Sequence, residues 1–186
     1  MERVIELTGK FEKSRKNLLA VFILSTVNIF LFLFNATISF PFSAAIPTIL
    51  VGVGQFITQD TGSNSFFVFG AIMAFIVVAS YGIFYLLSKK YSAFMLVALI
   101  FFVPDTLLVV FFLISEFEIG FVIDFLFHIW VMVSLASGVK ALSELKKMPI
   151  ENIQQALESL QVKEVVQEQQ QTAPMQEDEE KNAEDN

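Results

Sequence analysis

YSAFMLVALIFFVPDTLLVVFFLIS (residues 91–115) and IGFVIDFLFHIWVMVSLASG (residues 119–138) are two long apolar runs joined by the short acidic turn Ser115-Glu116-Phe117-Glu118. A helix rising about 1.5 Å per residue crosses a hydrocarbon core of roughly 30 Å within either run. The turn is so short that the two helices must be antiparallel neighbours. Three ionisable residues interrupt them: Asp105, Asp124 and His128, the single histidine of the chain. At a helix centre each charged group costs roughly 2.5–3.5 kcal/mol on insertion scales, so each needs a partner or a purpose.

In a hairpin closed at Ser115 to Glu118, Asp105 and His128 are equidistant from the turn, each about 17 Å along an ideal helix. Asp124 lies one turn nearer the hairpin end and shares a face with His128, because residues four apart are helix neighbours. The pattern predicts one polar cluster of Asp105, His128 and Asp124, in which imidazolium and carboxylate favour each other's charged form. Pro104 cannot donate to the Ile100 carbonyl, so a helix kink is expected just before Asp105. Thr106, and Ser25, Thr26 and Asn28 from the first apolar run, add hydrogen-bonding groups at similar depth.

Working outward, apolar residues make up 55% of the 186, including 22 Phe, more than a soluble chain of this size can bury. Four spans are predicted, at about 18–34, 66–87, 92–114 and 119–139. A cleavable signal peptide fits the first poorly: its basic flank is long, its apolar run is long, and no A-x-A site follows directly. All 12 Lys and Arg residues precede the first span, lie at Lys89-Lys90, or follow the fourth span. By the positive-inside rule both termini are cytoplasmic, with two outer loops.

The segment FPFSAAIPTILVGVGQFIT (residues 40–58) contests the count of four, being uncharged and nearly long enough to cross. If it crossed, Lys89-Lys90 would move outside. Pro41, Pro47, Gly52 and Gly54 also argue against an uninterrupted helix, which predicts a re-entrant or interfacial segment of irregular backbone in the first outer loop. Gly70-x-x-x-Ala74 and Ser134-x-x-x-Gly138 are small-residue pairs that permit close helix packing.

The net charge of -7 belongs to the end of the chain. From Met148 onward ten acidic residues face only Lys163 and Lys181, leaving about +1 for the rest. The domain reading is therefore a membrane domain over 1–147 and a cytoplasmic tail over 148–186. In the tail a short helix at about 150–165, with Ile150, Ile153, Leu157 and Leu160 in helical spacing, precedes a disordered acidic end. An acidic chain gives no support to nucleic-acid binding. With no cysteine there is no disulfide or thiol chemistry. The motifs H-E-x-x-H and G-x-S-x-G are absent, as is any phosphate-cradling loop. One histidine is also short of the usual catalytic zinc set, so neither a metal nor a cofactor is expected.

The order LSTVNIFLFLFN, FPFSAAIP, VPDTLLVVFF and VIDFLFHIWVMVSLASG resembles a group of small, uncharacterised four-span integral membrane proteins of Gram-positive bacteria. The likeness covers about residues 15–148, with Asp105-Thr106-Leu107, Asp124, His128 and Trp130 as its distinctive positions. It implies a bacterial plasma membrane, and no activity, substrate or cofactor.

The expected architecture is thus an all-α membrane protein, a four-helix transmembrane bundle with the re-entrant or interfacial segment and the disordered tail appended. Its expected role is non-enzymatic, acting in the lipid bilayer through a membrane-protein partner or a homo-oligomer, with the Asp/His cluster as a helix lock. A small proton- or ion-conducting channel or carrier using Asp105, His128 and Asp124 is the alternative. An intramembrane enzyme is the third reading.

Overall fold

The computed structural model describes residues 2–34, 36, 40, 42–91, 93–151 and 153–155. Five helices follow one another: α1 (Glu2–Leu33), α2 (Ala45–Thr61), α3 (Ser65–Ser88), α4 (Ala93–Ser115) and α5 (Ile119–Leu145). Four of them, α1, α3, α4 and α5, are long and apolar enough to cross a membrane, which suggests a multi-pass membrane protein. Residues 150, 151 and 153–155 are helical, and the remainder of the predicted tail helix and the acidic end lie outside the described residues. Two compact units are distinguished, one covering Lys10–Leu142 and the other the described residues of the two chain ends. In the latter, exposed Arg3 bridges Glu6 at 2.8 Å and Glu144 at 2.6 Å.

Within Lys10–Leu142 the helices bury small and polar faces and expose bulky apolar ones. On α3 the buried positions are Gly70, Ala74, Val78, Tyr81 and Ser88, whereas Ile72, Ile76, Ile83 and Leu86 are half exposed or more. An apolar exterior of this extent calls for a covering medium or partner. The interior of α1, α3, α4 and α5 is one cluster in which Leu18, Val21, Tyr81, Met95, Ala98, Phe102, Val131 and Leu135 are fully buried. A second cluster joins Ile29 of α1, Val51 of α2 and Ala74 and Val78 of α3.

The register of the α4–α5 hairpin is visible in three places. Phe112 stacks on Phe121 with ring centroids 5.7 Å apart, Asp105 meets His128, and the Met95 methyl lies 3.8 Å from where a Gly138 Cβ would be. These pairs are equidistant from the turn, as an antiparallel hairpin closed at residues 115–118 requires. Helix α4 runs through Pro104 without a break. Trp130 is half exposed on α5.

Of the segment expected to have an irregular backbone, residues 40 and 42–44 are irregular and Pro41 lies outside the described residues, but from Ala45 onward it is a regular 17-residue helix, α2. The expectation erred because it counted breakers without regard to position. Pro47 is the third residue of α2, in the first turn, where an amide N–H has no intrahelical partner to lose. Gly52 and Gly54 lie inside the helix, and Gly54 is needed for packing. A Cβ on Gly54 would sit 2.6 Å from the Phe66 carbonyl oxygen, and one on Gly70 would run into the Leu50 carbonyl oxygen. The backbones of α2 and α3 thus touch where their glycines face each other. Gly62, at φ 72°, ends α2 in the left-handed conformation and donates its N–H to the Thr58 carbonyl.

Ser134 and Gly138 receive α1. Ser14 Oγ lies 2.6 Å from the Ser134 carbonyl oxygen and occupies the space a Gly138 Cβ would need. Asn17 Nδ2 donates to Ser134 Oγ at 2.6 Å. At the same end of α1, Arg15 is buried over the Tyr85 ring at 4.9 Å and donates to Glu12 and to Ser88 Oγ.

Replacing Gly70 by leucine should destabilise the fold by about 1–3 kcal/mol or more, since backbone rather than a flexible side chain must move. Gly52→Ala, whose Cβ would meet only the Phe32 ring at 3.9 Å, should be neutral or gain about 0.5–1 kcal/mol from helix propensity. Thermal unfolding of both variants in the same detergent measures the contrast.

Candidate functional site

The most demanding local problem in the chain is the start of α2. The first amides of a helix have no intrahelical acceptor, and Ala44, at the N-cap, brings no side-chain acceptor of its own. Other elements supply the acceptors. The Ala44 N–H donates to Ser25 Oγ of α1 at 2.8 Å, the Ala45 N–H to Asp105 Oδ2 at 3.0 Å, and the Ile46 N–H to Asp105 Oδ1 at 2.7 Å. Pro47 has no N–H. All four positions are therefore closed, two of them by one carboxylate reaching from the middle of α4.

Asp105 is fully buried and faces fully buried His128, with His128 Nε2 2.7 Å from Asp105 Oδ2. The other ring nitrogen, Nδ1, is 2.7 Å from the Asp124 backbone carbonyl oxygen. A carbonyl only accepts, so Nδ1 carries a proton and donates it. A second proton then lies between Nε2 and Oδ2. It resides either on the imidazole, giving an ion pair, or on the carboxyl, giving a neutral pair, and the heavy-atom geometry serves both. Phe102 stacks on the imidazole at 4.9 Å and Phe127 meets it edge-on at 5.9 Å. These rings seal the pair from solvent.

Of the predicted cluster, Asp105 and His128 come together, while Asp124 contributes only its main-chain carbonyl. Its carboxylate turns away, accepting from the Phe42 N–H at 3.3 Å. The cluster of three carboxyl and imidazole side chains is corrected accordingly, because Asp124 meets an unpaired amide of the approaching segment. Thr106 is buried beside Asp105 yet donates to the Phe102 carbonyl of its own helix at 3.0 Å, a local bond common for threonine in helices.

Asn28 has the most specific of the remaining roles. Its Oδ1 accepts from the Phe40 N–H at 2.7 Å while its Nδ2 donates to the Phe40 carbonyl at 2.6 Å and to Ser43 Oγ at 2.7 Å. The side-chain amide thus imitates a paired strand and holds the segment that leads into α2. Phe42 in that segment has φ 79°, a strained conformation for a residue with a side chain, and its ring packs on Phe127 at 5.3 Å.

Sequence reasoning missed Ser25 as the Ala44 acceptor, Ser43 as an Asn28 partner and Tyr81 altogether. Tyr81 is fully buried against Phe101 and Phe102, and its hydroxyl has no hydrogen-bond partner among the described residues. The available signal was a tyrosine in an apolar run, four residues before Tyr85. Beside the polar network lies a cavity of about 460 Å³, bounded by α1, the start of α2, α4 and α5. Among the described residues no three His, Asp or Glu side chains converge as metal ligands.

Asp105→Ala should destabilise the fold by about 3–5 kcal/mol, the range for breaking a buried pair. Asp105→Asn should cost about 1–3 kcal/mol: its oxygen still accepts one backbone N–H and its amide can donate to a neutral His128, leaving a single α2 amide unpaired. Denaturation of both variants in one detergent gives the order. Tyr81→Phe, which removes a buried hydroxyl without a partner, should leave stability unchanged or raise it by about 1 kcal/mol, and the same assay checks it.

Comparison with family models, with curated proteins and with solved structures finds no match, so the functional reading rests on the sequence and the geometry.

Proposed function

We propose that this chain is a non-enzymatic multi-pass membrane protein that acts through a membrane-protein partner or a second copy of itself, with Asp105 and His128 as an internal lock. The observation carrying this reading is how completely the pair is engaged by other elements of the fold. Both Asp105 oxygens accept backbone amides of α2, one of them also meets His128, and the second imidazole nitrogen is held by the Asp124 carbonyl. Both residues are fully buried, and both carboxyl oxygens and both ring nitrogens are engaged by the protein itself. The pair joins α2, α4 and α5.

In this reading α2 is a re-entrant helix. Its first residues bond to positions midway along α4 and to Ser25 well inside α1, which supports a start near the membrane midplane. Irregular backbone at that depth is tolerated only where protein covers it, and Asn28, Ser25 and Asp105 provide the cover. The placement of every Lys and Arg supports cytoplasmic termini. The resemblance to small Gram-positive membrane proteins supports a bacterial plasma membrane. Four spans and no inverted repeat also make a self-sufficient transporter a poor fit.

Two measurements test the proposal. Crosslinking of the full chain in native membranes should trap a dimer or a specific companion, and proteoliposomes should pass protons no faster than protein-free vesicles. A monomer whose proton flux falls in Asp105→Asn while its melting temperature holds would instead establish the channel or carrier reading.

A further inference from the structure

The cavity beside the lock has its own chemistry, which the lock does not use. Its walls are mostly apolar, with Phe112 and Phe121 stacked as one face. Four polar side chains enter it: Asn28, Ser43, Thr48 and Asp124. Asn28 is already bonded to Ser43 and to Phe40. Asp124 is different. Its carboxylate has one protein donor among the described residues, the Phe42 N–H at the long distance of 3.3 Å.

Among the described residues no Lys or Arg pairs with that carboxylate. The lining residues fall within 28–49 and 109–124, and the sequence has no Lys or Arg between 17 and 88 or between 91 and 139. Both ring nitrogens of nearby His128 are committed, to Asp105 and to the Asp124 main chain. Further negative charge stands at the same end of the hairpin, where Glu116 and Glu118 are exposed in the turn just before Gly120 and Phe121 of the cavity wall. An apolar cavity of 300–1,000 Å³ with a few converging polar groups is the usual form of a small-molecule site, and at about 460 Å³ this one falls inside that range. A half-buried carboxylate among aromatic rings selects positive charge, through a charged hydrogen bond and through the ring faces.

We propose that this cavity binds an organic ammonium ion, a protonated amine carrying an apolar body, with Asp124 as its counter-ion and Phe112 and Phe121 against the apolar part. Thr48 Oγ1 offers a further acceptor. The amine can belong to a free small molecule or to the headgroup of a membrane lipid, since both present the same group. The inference is independent of the lock: it assigns nothing to Asp105 or His128, and Asp105→Asn leaves the Asp124 carboxylate in place.

The test uses the full chain in nanodiscs of phosphatidylglycerol, titrated calorimetrically with phenethylammonium and with 2-phenylethanol, its uncharged counterpart. The ammonium should bind at least about tenfold more tightly than the alcohol, the factor expected for one charge-assisted hydrogen bond. Asp124→Asn should remove that advantage and leave the alcohol unaffected. Thr48→Phe, which fills the cavity without touching the carboxylate, should weaken both ligands and decides the matter should Asp124→Asn fail to fold. Replacing a fixed fraction of the phosphatidylglycerol by phosphatidylethanolamine or by the equally zwitterionic phosphatidylcholine holds the surface charge equal and separates the sources: a severalfold weaker apparent affinity for phenethylammonium in the phosphatidylethanolamine discs than in the phosphatidylcholine discs identifies the lipid headgroup as occupant, and equal affinities identify a free amine. Equal binding of the ammonium and the alcohol, undiminished ammonium binding in Asp124→Asn or Thr48→Phe, or no binding at all overturns the proposal.

Discussion

A helix that begins inside apolar surroundings has N–H groups that water cannot satisfy, and the fold of residues 10–142 depends on how that is resolved. One carboxylate does most of it. Asp105 accepts two of the α2 amides, so its carboxyl oxygens lie at the positive end of the α2 dipole, where an electronegative group is favoured. His128 then keeps the buried carboxylate in company, and the Asp124 carbonyl fixes the ring from its far side. Each member is costly alone and acceptable together, because an unsatisfied group in a low-dielectric interior has nothing else to bond.

Close packing of small residues makes this network reachable. Gly54 and Gly70 let α2 lie directly on α3, and the Ser14–Gly138 contact brings α1 onto α5. Without a large hydrophobic gain from hiding side chains in a lipid-like medium, helices cohere through such backbone approach and through hydrogen bonds between side chains and main chain. The distribution of residues agrees: Ser25, Asn28, Asp105, Thr106 and His128 are buried, while Ile72, Leu86, Ile100, Leu107 and Val133 are exposed. Asp124 stands between the two parts of the site, its carbonyl in the lock and its carboxylate on the cavity.

The sequence by itself determined four long apolar helices and the pairing inside the hairpin. Long apolar runs are legible from composition alone, and a turn confined to Ser115–Glu118 leaves one antiparallel register, in which Asp105 and His128 coincide. The small-residue pairs at Gly70 and Ser134 were legible for the same reason: helical spacing places them on one face. Only tertiary structure decided that residues 45–61 form a regular helix, that Asp105 caps it, and that the Asp124 carboxylate turns to the cavity. The partners concerned are backbone amides, which every residue except proline carries alike, so no residue type marks them in a sequence. Composition also weighs Pro47 and Gly54 as breakers, whereas position makes the proline harmless in a first turn and the glycine necessary where two helices touch.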